Sequence, residues 1–346
     1  MDETLGKASK MTPNWWQGRK VLVTGGAGFI GSNLVARLLR EGARVRVIDN
    51  LERGRREYLA GSLNDIEFLD GDLKSEAICD SACREIDVVF HLASKVGGIR
   101  YYMDRAGDVF RENTIMDHNM WSAAIRAGTP YYFYASSAHV YPGNLQQSPD
   151  APLILEEQAY PASPELSYGW AKLIGEQLIQ YTIHQGDCPT RASIGRIIGS
   201  YGPNQDLDLA TGSCIPVFCR RAIRYPQEGP FKVLGTGAET RSYHFVSDTI
   251  EAFLRSVEKL EGTPLVGPFN LGCEERLSIR ELASEIIAIS GKPIEIEWDK
   301  GHETLIWGQA VDCNLAARLL DGWKAEVSLH QGLSICYEHI SSRLRE

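Results

Sequence analysis

The run Lys20-Val21-Leu22-Val23-Thr24 is apolar and β-branched over the length of a buried strand, and the glycine-rich stretch 25–31 after it predicts a turn. Across 32–41 apolar residues return at helical spacing (Leu34, Val35, Leu38, Leu39), and 43–49 is β-branched and apolar again. Strand, helix and strand within about 30 residues predict the βαβ unit of a parallel sheet. The alternation continues with strands at 66–69 and 86–92, a helix over 109–127 and a strand at 131–136, so the fold class is α/β with a doubly wound parallel sheet. After Ile194 the pattern turns irregular and rich in Gly and Pro, which predicts a smaller α/β lobe assembled from separate stretches, with helices at 277–290 and 329–345. The expected division is a loose, flexible tail at 1–18, a main domain at 19–194 to which 239–262 returns, and a lobe made of 195–238 and 263–346. The tail carries Trp15-Trp16, which pack back on the body or on a neighbouring subunit.

Charge narrows the function classes. A formal net charge of -9 over 346 residues provides no basic face to neutralise nucleic-acid phosphates, so an anionic ligand has to be met by local donors. No apolar run approaches the roughly 20 residues needed to cross a bilayer, and the polar start MDETLGKASK lacks the apolar segment of a signal peptide. A cytoplasmic location is expected, with no membrane and no nucleic acid as partner. The eight cysteines are scattered, and Cys79 and Cys83 have the wrong spacing for a zinc pair, so reduced thiols and no metal are expected.

The turn 25–31 reads Gly-Gly-Ala-Gly-Phe-Ile-Gly, with glycines at G-x-x-G-x-x-G spacing between a strand and a helix. Such glycines let the backbone approach a pyrophosphate, whose charge meets the unpaired N–H groups of the helix N-terminus. Gly25, Gly28, Phe29, Ile30 and Gly31 are therefore candidate dinucleotide ligands. Asp49 ends the next strand, 18 residues after Gly31, where a carboxylate accepts from ribose hydroxyls and repels a 2′-phosphate, which favours NAD. A helix cap is the alternative for Asp49, and Arg44, Arg46 and Arg53 are near enough in sequence to keep NADP open. Asp72-Leu73 is an adenine contact or a plain turn. Tyr168 and Lys172 lie four apart, on one helix face. A free phenol of pKa about 10 is ionised to about one part in a thousand at pH 7, so a useful base needs roughly 4 kcal/mol of phenolate stabilisation, which Lys172 is expected to help supply. Ser137, at the end of the strand 131–136, can donate to the same alcohol oxygen.

These motifs, with Asn50, His91-Leu92-Ala93-Ser94, Asn113, Ser136-Ser137, Arg196, Tyr201-Gly202-Pro203 and 241–248, follow in the order of the extended short-chain dehydrogenases/reductases, the NAD-dependent epimerase/dehydratase family, which the chain resembles beyond its tail. The resemblance implies a Rossmann-type NAD-binding domain, a lobe for a nucleotide-sugar, and a catalytic set of Ser137, Tyr168 and Lys172 buttressed by Asn113. It adds Asn50, Leu92, Ala93 and Ser94 to the cofactor contacts, and implies a homodimer through the helices that hold Tyr168 and Asn113. The stretch 95–99, with Gly97 and Gly98, looks like a loop of GDP-fucose synthases. Stretches 135–142 and 235–245 look like parts of GDP-mannose 3,5-epimerases. The chain departs from both families in carrying His139 in place of a cysteine and Ser213 about where they have lysine or histidine. Gly199 replaces an asparagine that contacts sugar-nucleotide phosphates, and Ala138-His139 stand where 4,6-dehydratases place Asp-Glu.

His139 titrates near neutrality as an isolated imidazole and could move a proton beside a 4-ketone, or serve as a polar wall. Arg241 could pair with the substrate pyrophosphate or form a surface salt bridge. Asp248 is expected to cap a helix beginning near Thr249. The functional expectation is an epimerase acting on a GDP- or other nucleotide-linked hexose or heptose through a transient 4-keto sugar with enzyme-bound NAD. The alternatives are a 4-dehydrogenase or 4-keto reductase, then a dehydratase or decarboxylase, and last a non-catalytic NAD-binding regulator.

Overall fold

The computed structural model describes residues 14–97, 99–299, 301 and 306–345. Seven parallel strands form the main sheet: β1 (Lys20–Thr24), β2 (Arg44–Asp49), β3 (Ile66–Asp70), β4 (Val88–His91), β5 (Tyr131–Ser137), β6 (Arg191–Ile197) and β7 (Leu265–Leu271). Their spatial order is β7-β6-β5-β4-β1-β2-β3. The central strands β1, β4 and β5 are buried almost throughout because both faces are covered. Val21, Val23, Phe90 and Phe133 point to one core, while Leu22, Val89, Tyr132 and Tyr134 point to the other. Strand order reverses between β1 and β4, and a doubly wound sheet opens its ligand crevice at the C-terminal strand ends beside such a switch point.

The helices are α1 (Phe29–Arg40), α2 (Glu76–Ala82), α3 (Ile99–Asp104), α4 (Ala106–Ala127), α5 (Ser167–His184), α6 (Cys214–Arg224), α7 (Val246–Glu258), α8 (Ile279–Ser290), α9 (Asn314–Leu319) and α10 (Leu329–Arg343). α1 and α7 cover the first face, with Phe253 of α7 packed on Phe90 and Phe133. α2, α4 and α5 cover the second. α6, α8 and α10 pack together in the lobe, beside a parallel pair formed by Phe231–Leu234 and Ile296–Asp299.

Three sequence expectations need correction. Leu265–Leu271 was placed in the lobe, yet it pairs with β6 as the edge of the main sheet, and β6 itself runs past 194 to Ile197. Gly267-Pro268 interrupts its strand pattern, and the register shifts between Val266 and Phe269 to absorb them. Residues 14–18 are not a loose tail. Trp16 is 2% exposed, its indole N–H donates to Glu258 at 2.6 Å and its ring lies against Phe90, so the pair packs on its own body. Asp248 sits inside the first turn of α7, where its carboxylate accepts from Val327 N–H at 3.2 Å instead of capping that helix.

Candidate active site

A cleft of about 840 Å³ follows the C-terminal strand ends. At its floor the 25–31 turn leads into α1, where Gly28 is the N-cap, no side chain caps the first turn and no acidic residue stands in it. Gly25 has φ +66°, and a Cβ there would lie 2.9 Å from Ala93 Cα. A Cβ on Gly31 would lie 2.2 Å from the Gly25 carbonyl oxygen. The turn is thus a backbone cradle that leads into a helix start without a side-chain cap, and it fits a dinucleotide pyrophosphate. Gly25, Gly28, Phe29, Ile30 and Gly31 all line the cleft.

Asp49 and Asn50 reach the same cleft at the end of β2. The two Asp49 carboxylate oxygens accept from Ala27 N–H (3.0 Å) and Leu51 N–H (2.9 Å), and burial still pushes its carboxyl above the usual carboxylate range. Asp72 and Leu73 form the adjoining wall, Asp72 ion-paired with Lys74 and the Leu73 carbonyl accepting from Asn119. Leu92, Ala93 and Ser94 continue β4 into the cleft, followed by Gly97; Gly98 lies outside the described residues.

β5 delivers Ser136 and Ser137, a short helical turn (138–140) delivers His139, and the first turn of α5 delivers Tyr168. All four line the cleft. Burial drives the proton affinity of the Tyr168 hydroxyl above that of a free phenol and the Asp117 charge adds to the effect, while the neighbouring hydroxyls of Ser94 and Ser137 work against it. Ser137 Oγ also accepts from His139 N–H at 3.2 Å. The expected near-neutral imidazole is not found: burial, helped by the Arg241 charge, lowers His139 to about 4.

Three predicted residues do not border the cleft. Asn113 Oδ1 accepts from Ser94 Oγ (2.8 Å) and Lys95 N–H (2.7 Å) and its amide donates to the Lys95 and Val109 carbonyls, so it ties the loop after β4 to α4. Lys172 is 1% exposed, and its ammonium stands 3.6 Å from Asp117 Oδ1 beneath the cleft wall. Arg241 donates to the carbonyls of Thr240 (2.7 Å) and Ile306 (2.8 Å). Gly199 and Ser213 do line the cleft, and the Ser213 hydroxyl accepts from Gln205.

Sequence reading missed three features. Tyr102 of α3 stacks on Tyr168, with centroids 5.0 Å apart and planes 13° from parallel, and nothing in its surroundings marks it in advance. Asp117 lies one helical turn after Asn113 on the face of α4 that meets the site, a spacing that could have found it. Across the mouth, Arg53 donates to the Val96 carbonyl (2.7 Å) and pairs with Asp206 (2.8 Å), bridging the β2 loop to the segment 204–212. Beside it Lys95 joins Glu52 and Glu112.

Among the described residues no group of three or more His, Cys, Asp or Glu could hold a metal, and all eight cysteines are free. No described helix is long and apolar enough to cross a membrane.

Comparison with known proteins agrees with this geometry. Residues 21–272 match the NAD dependent epimerase/dehydratase family. GDP-mannose 3,5-epimerase of Arabidopsis thaliana is 30% identical over 94% of this chain and 83% of its own. UDP-glucuronic acid decarboxylase 4 of the same plant is also 30% identical, over 94% of this chain and 69% of its own. The structure of UDP-glucose 4-epimerase from Thermotoga maritima with UDP-glucose superposes with a TM-score of 0.83 at 26% identity, covering 94% of this chain and 99% of that one. A glycine cradle, the Ser137–Tyr168 pair and a match over most of the chain lead to one conclusion: the chain belongs to the NAD-dependent epimerase/dehydratase family.

Proposed function

We propose that the protein is a nucleotide-sugar epimerase that works through a transient 4-keto sugar. The observation that carries this reading is the Tyr168 hydroxyl, set with Ser94 and Ser137 on the cleft that the glycine turn opens into. The turn 25–31 would hold the pyrophosphate of NAD, and Asp49 the adenosine ribose, which favours NAD over NADP. When bound, NAD supplies the acceptor for the C4 hydrogen and later its donor. Tyr168 takes the proton of the C4 hydroxyl while Ser137 donates to the same oxygen, and Asn113 keeps Ser94 in place. Ala138 and His139 leave no acid at the positions from which the resembling dehydratases expel water. The nucleotide-sugar lies against Gly97, Ser136, Gly199 and Ser213, with Arg241 reaching its diphosphate only by leaving its carbonyl partners.

Two routes lead on from a 4-ketone: proton exchange at C3 or C5, or rotation of the keto sugar before the hydrogen returns. A base is most effective with a pKa near the working pH, and His139 at about 4 is a weak one that stores no proton at neutrality. That favours rotation, and hence inversion at C4. Incubation with GDP-, UDP-, CDP-, ADP- and dTDP-sugars in D2O tests the choice. An inverted C4 without deuterium at C3 or C5 supports rotation, and deuterium there returns His139 to the role of base. Net accumulation of reduced nicotinamide would identify a dehydrogenase, and silence across the panel a regulator.

A homodimer completes the reading. α5 exposes Trp170, Ile174 and Tyr181 along one face, and the neighbouring α4 exposes Phe110 and Ile115. An apolar stripe of this kind on two packed helices suits a second copy of the chain. Light scattering at micromolar concentration should give twice the chain mass, and a monomer removes the proposal.

A further inference from the structure

Beneath the cleft a closed hydrogen-bond chain connects three strands and two helices. Thr24 Oγ1, at the end of β1, accepts from the N–H groups of Leu92 (3.1 Å) and Ala93 (3.0 Å), so its own hydrogen is left for His91 Nδ1 at 2.9 Å. His91 Nε2 then carries the ring proton and donates it to Asp117 Oδ1 at 2.9 Å. Asp117 Oδ2 accepts from the Tyr134 hydroxyl at 2.5 Å, and the Lys172 ammonium completes the set at 3.6 Å from Oδ1. His91, Asp117, Tyr134 and Lys172 are each 3% exposed or less.

A carboxylate so deeply buried stays ionised only if its partners outweigh desolvation, and here they hold Asp117 below the usual range. His91 is kept neutral by burial. The charged and titratable groups that face Lys172 are Asp117 from α4, Glu176 from α5, His91 from β4 and Tyr134 from β5. Glu176 is already committed to Arg196, which holds it through two bonds of 2.9 and 2.7 Å. Asp117 is therefore the counter-ion that Lys172 does not share with another cation among these groups.

We infer that Asp117 is a positioning residue for the Tyr168 chemistry: its buried charge fixes the Lys172 ammonium and sets the pH window in which the Tyr168–Lys172 pair works, while His91 and Thr24 couple that charge to the Leu92–Ala93 backbone of the cofactor cradle. The inference rests on Tyr168 being the base. A negative charge makes protons harder to remove from Tyr168 and Lys172 alike. Its removal therefore displaces both limbs of the pH profile toward acid. The Lys172 limb should move by about one to three pH units, the range for an opposite charge at this separation. A residue that merely fills space would lower the rate at every pH and move neither limb.

The test compares wild type, Asp117→Asn and Asp117→Glu in single-turnover oxidation of the panel sugar that reacts, across pH. Both limbs should move acidward in Asp117→Asn and stay at their wild-type positions in Asp117→Glu. Tyr134→Phe removes a donor but no charge and should leave them in place. If Asp117→Asn does not fold, Asp117→Ser, which can still accept from His91, carries the same expectation. Ultraviolet difference titration of the NAD-loaded protein, with Tyr168→Phe as the blank, reads the phenol without any sugar and should show the same displacement. Unmoved limbs in Asp117→Asn, or an equal displacement in Tyr134→Phe, overturn the inference. Near-normal turnover in Tyr168→Phe instead overturns the assignment of the base on which it rests.

Discussion

Tyr168 is stacked on Tyr102 and stands T-shaped to His139, with centroids 5.8 Å apart, so its ring is held in an aromatic box. Tyr168→Phe keeps that packing and removes only the oxygen. The variant should keep its fold and its affinity for NAD, measured by calorimetry, while turnover falls at least the roughly 100-fold typical of a lost acid–base group. His139→Asn separates base from wall: under rotation it should still invert C4, and neither protein should take up solvent deuterium at C3 or C5 by NMR. Deuterium in the wild type that vanishes in the variant would restore proton exchange. Ser137 and Tyr168 could be read from the sequence because their spacing fixes them on a strand end and a helix start. Tyr102 could not, because its contact depends on how α3 folds back. The protonation of His139 depends on burial, which no sequence spacing reports.

For single elements, legibility followed periodicity. β1, α1 and β2 have unbroken patterns and fall where their residues predict, whereas Gly267-Pro268 disguised β7 as irregular chain. The join of β1 to α1 carries its own prediction. Because a Cβ at position 31 meets the Gly25 carbonyl at 2.2 Å, Gly31→Ala must displace the turn that forms the cradle. NAD affinity should fall at least tenfold by calorimetry while circular dichroism stays that of a folded α/β protein, and unchanged affinity would take the turn out of the cofactor site. α5 places Tyr168, Lys172 and Glu176 at successive turns of one face. The sequence exposed the first pair through its four-residue spacing, but the burial of Lys172 against Asp117 depends on α4, a partner no local pattern names.

For the molecule as a whole, acid stability follows from its buried imidazoles. His139 and His244 are lowered from 6.5 to about 4, and His91 is lowered as well. An unfolded chain takes up these protons as pH falls below about 6.5 and the folded one does not, so stability is whole above that pH and declines toward about 4. Each histidine contributes a slope on the order of 1.4 kcal/mol per pH unit, against which the raised carboxyls of Asp49 and Glu258 work in the opposite direction. The melting temperature should therefore drop steeply between about pH 6 and pH 4.5, more gently in His244→Asn, and a flat profile would mean that water reaches these rings. The bridge from Arg53 to Asp206 matters in another way. Its two side chains are 33% and 32% exposed, so dissolved ions weaken their attraction. Displacement of NAD, followed by stopped flow, should quicken as sodium chloride is added to the wild type, and in Arg53→Ala should be fast from the start and indifferent to salt. A guest in this cleft would then keep a residence time that the ionic strength of its surroundings helps to set.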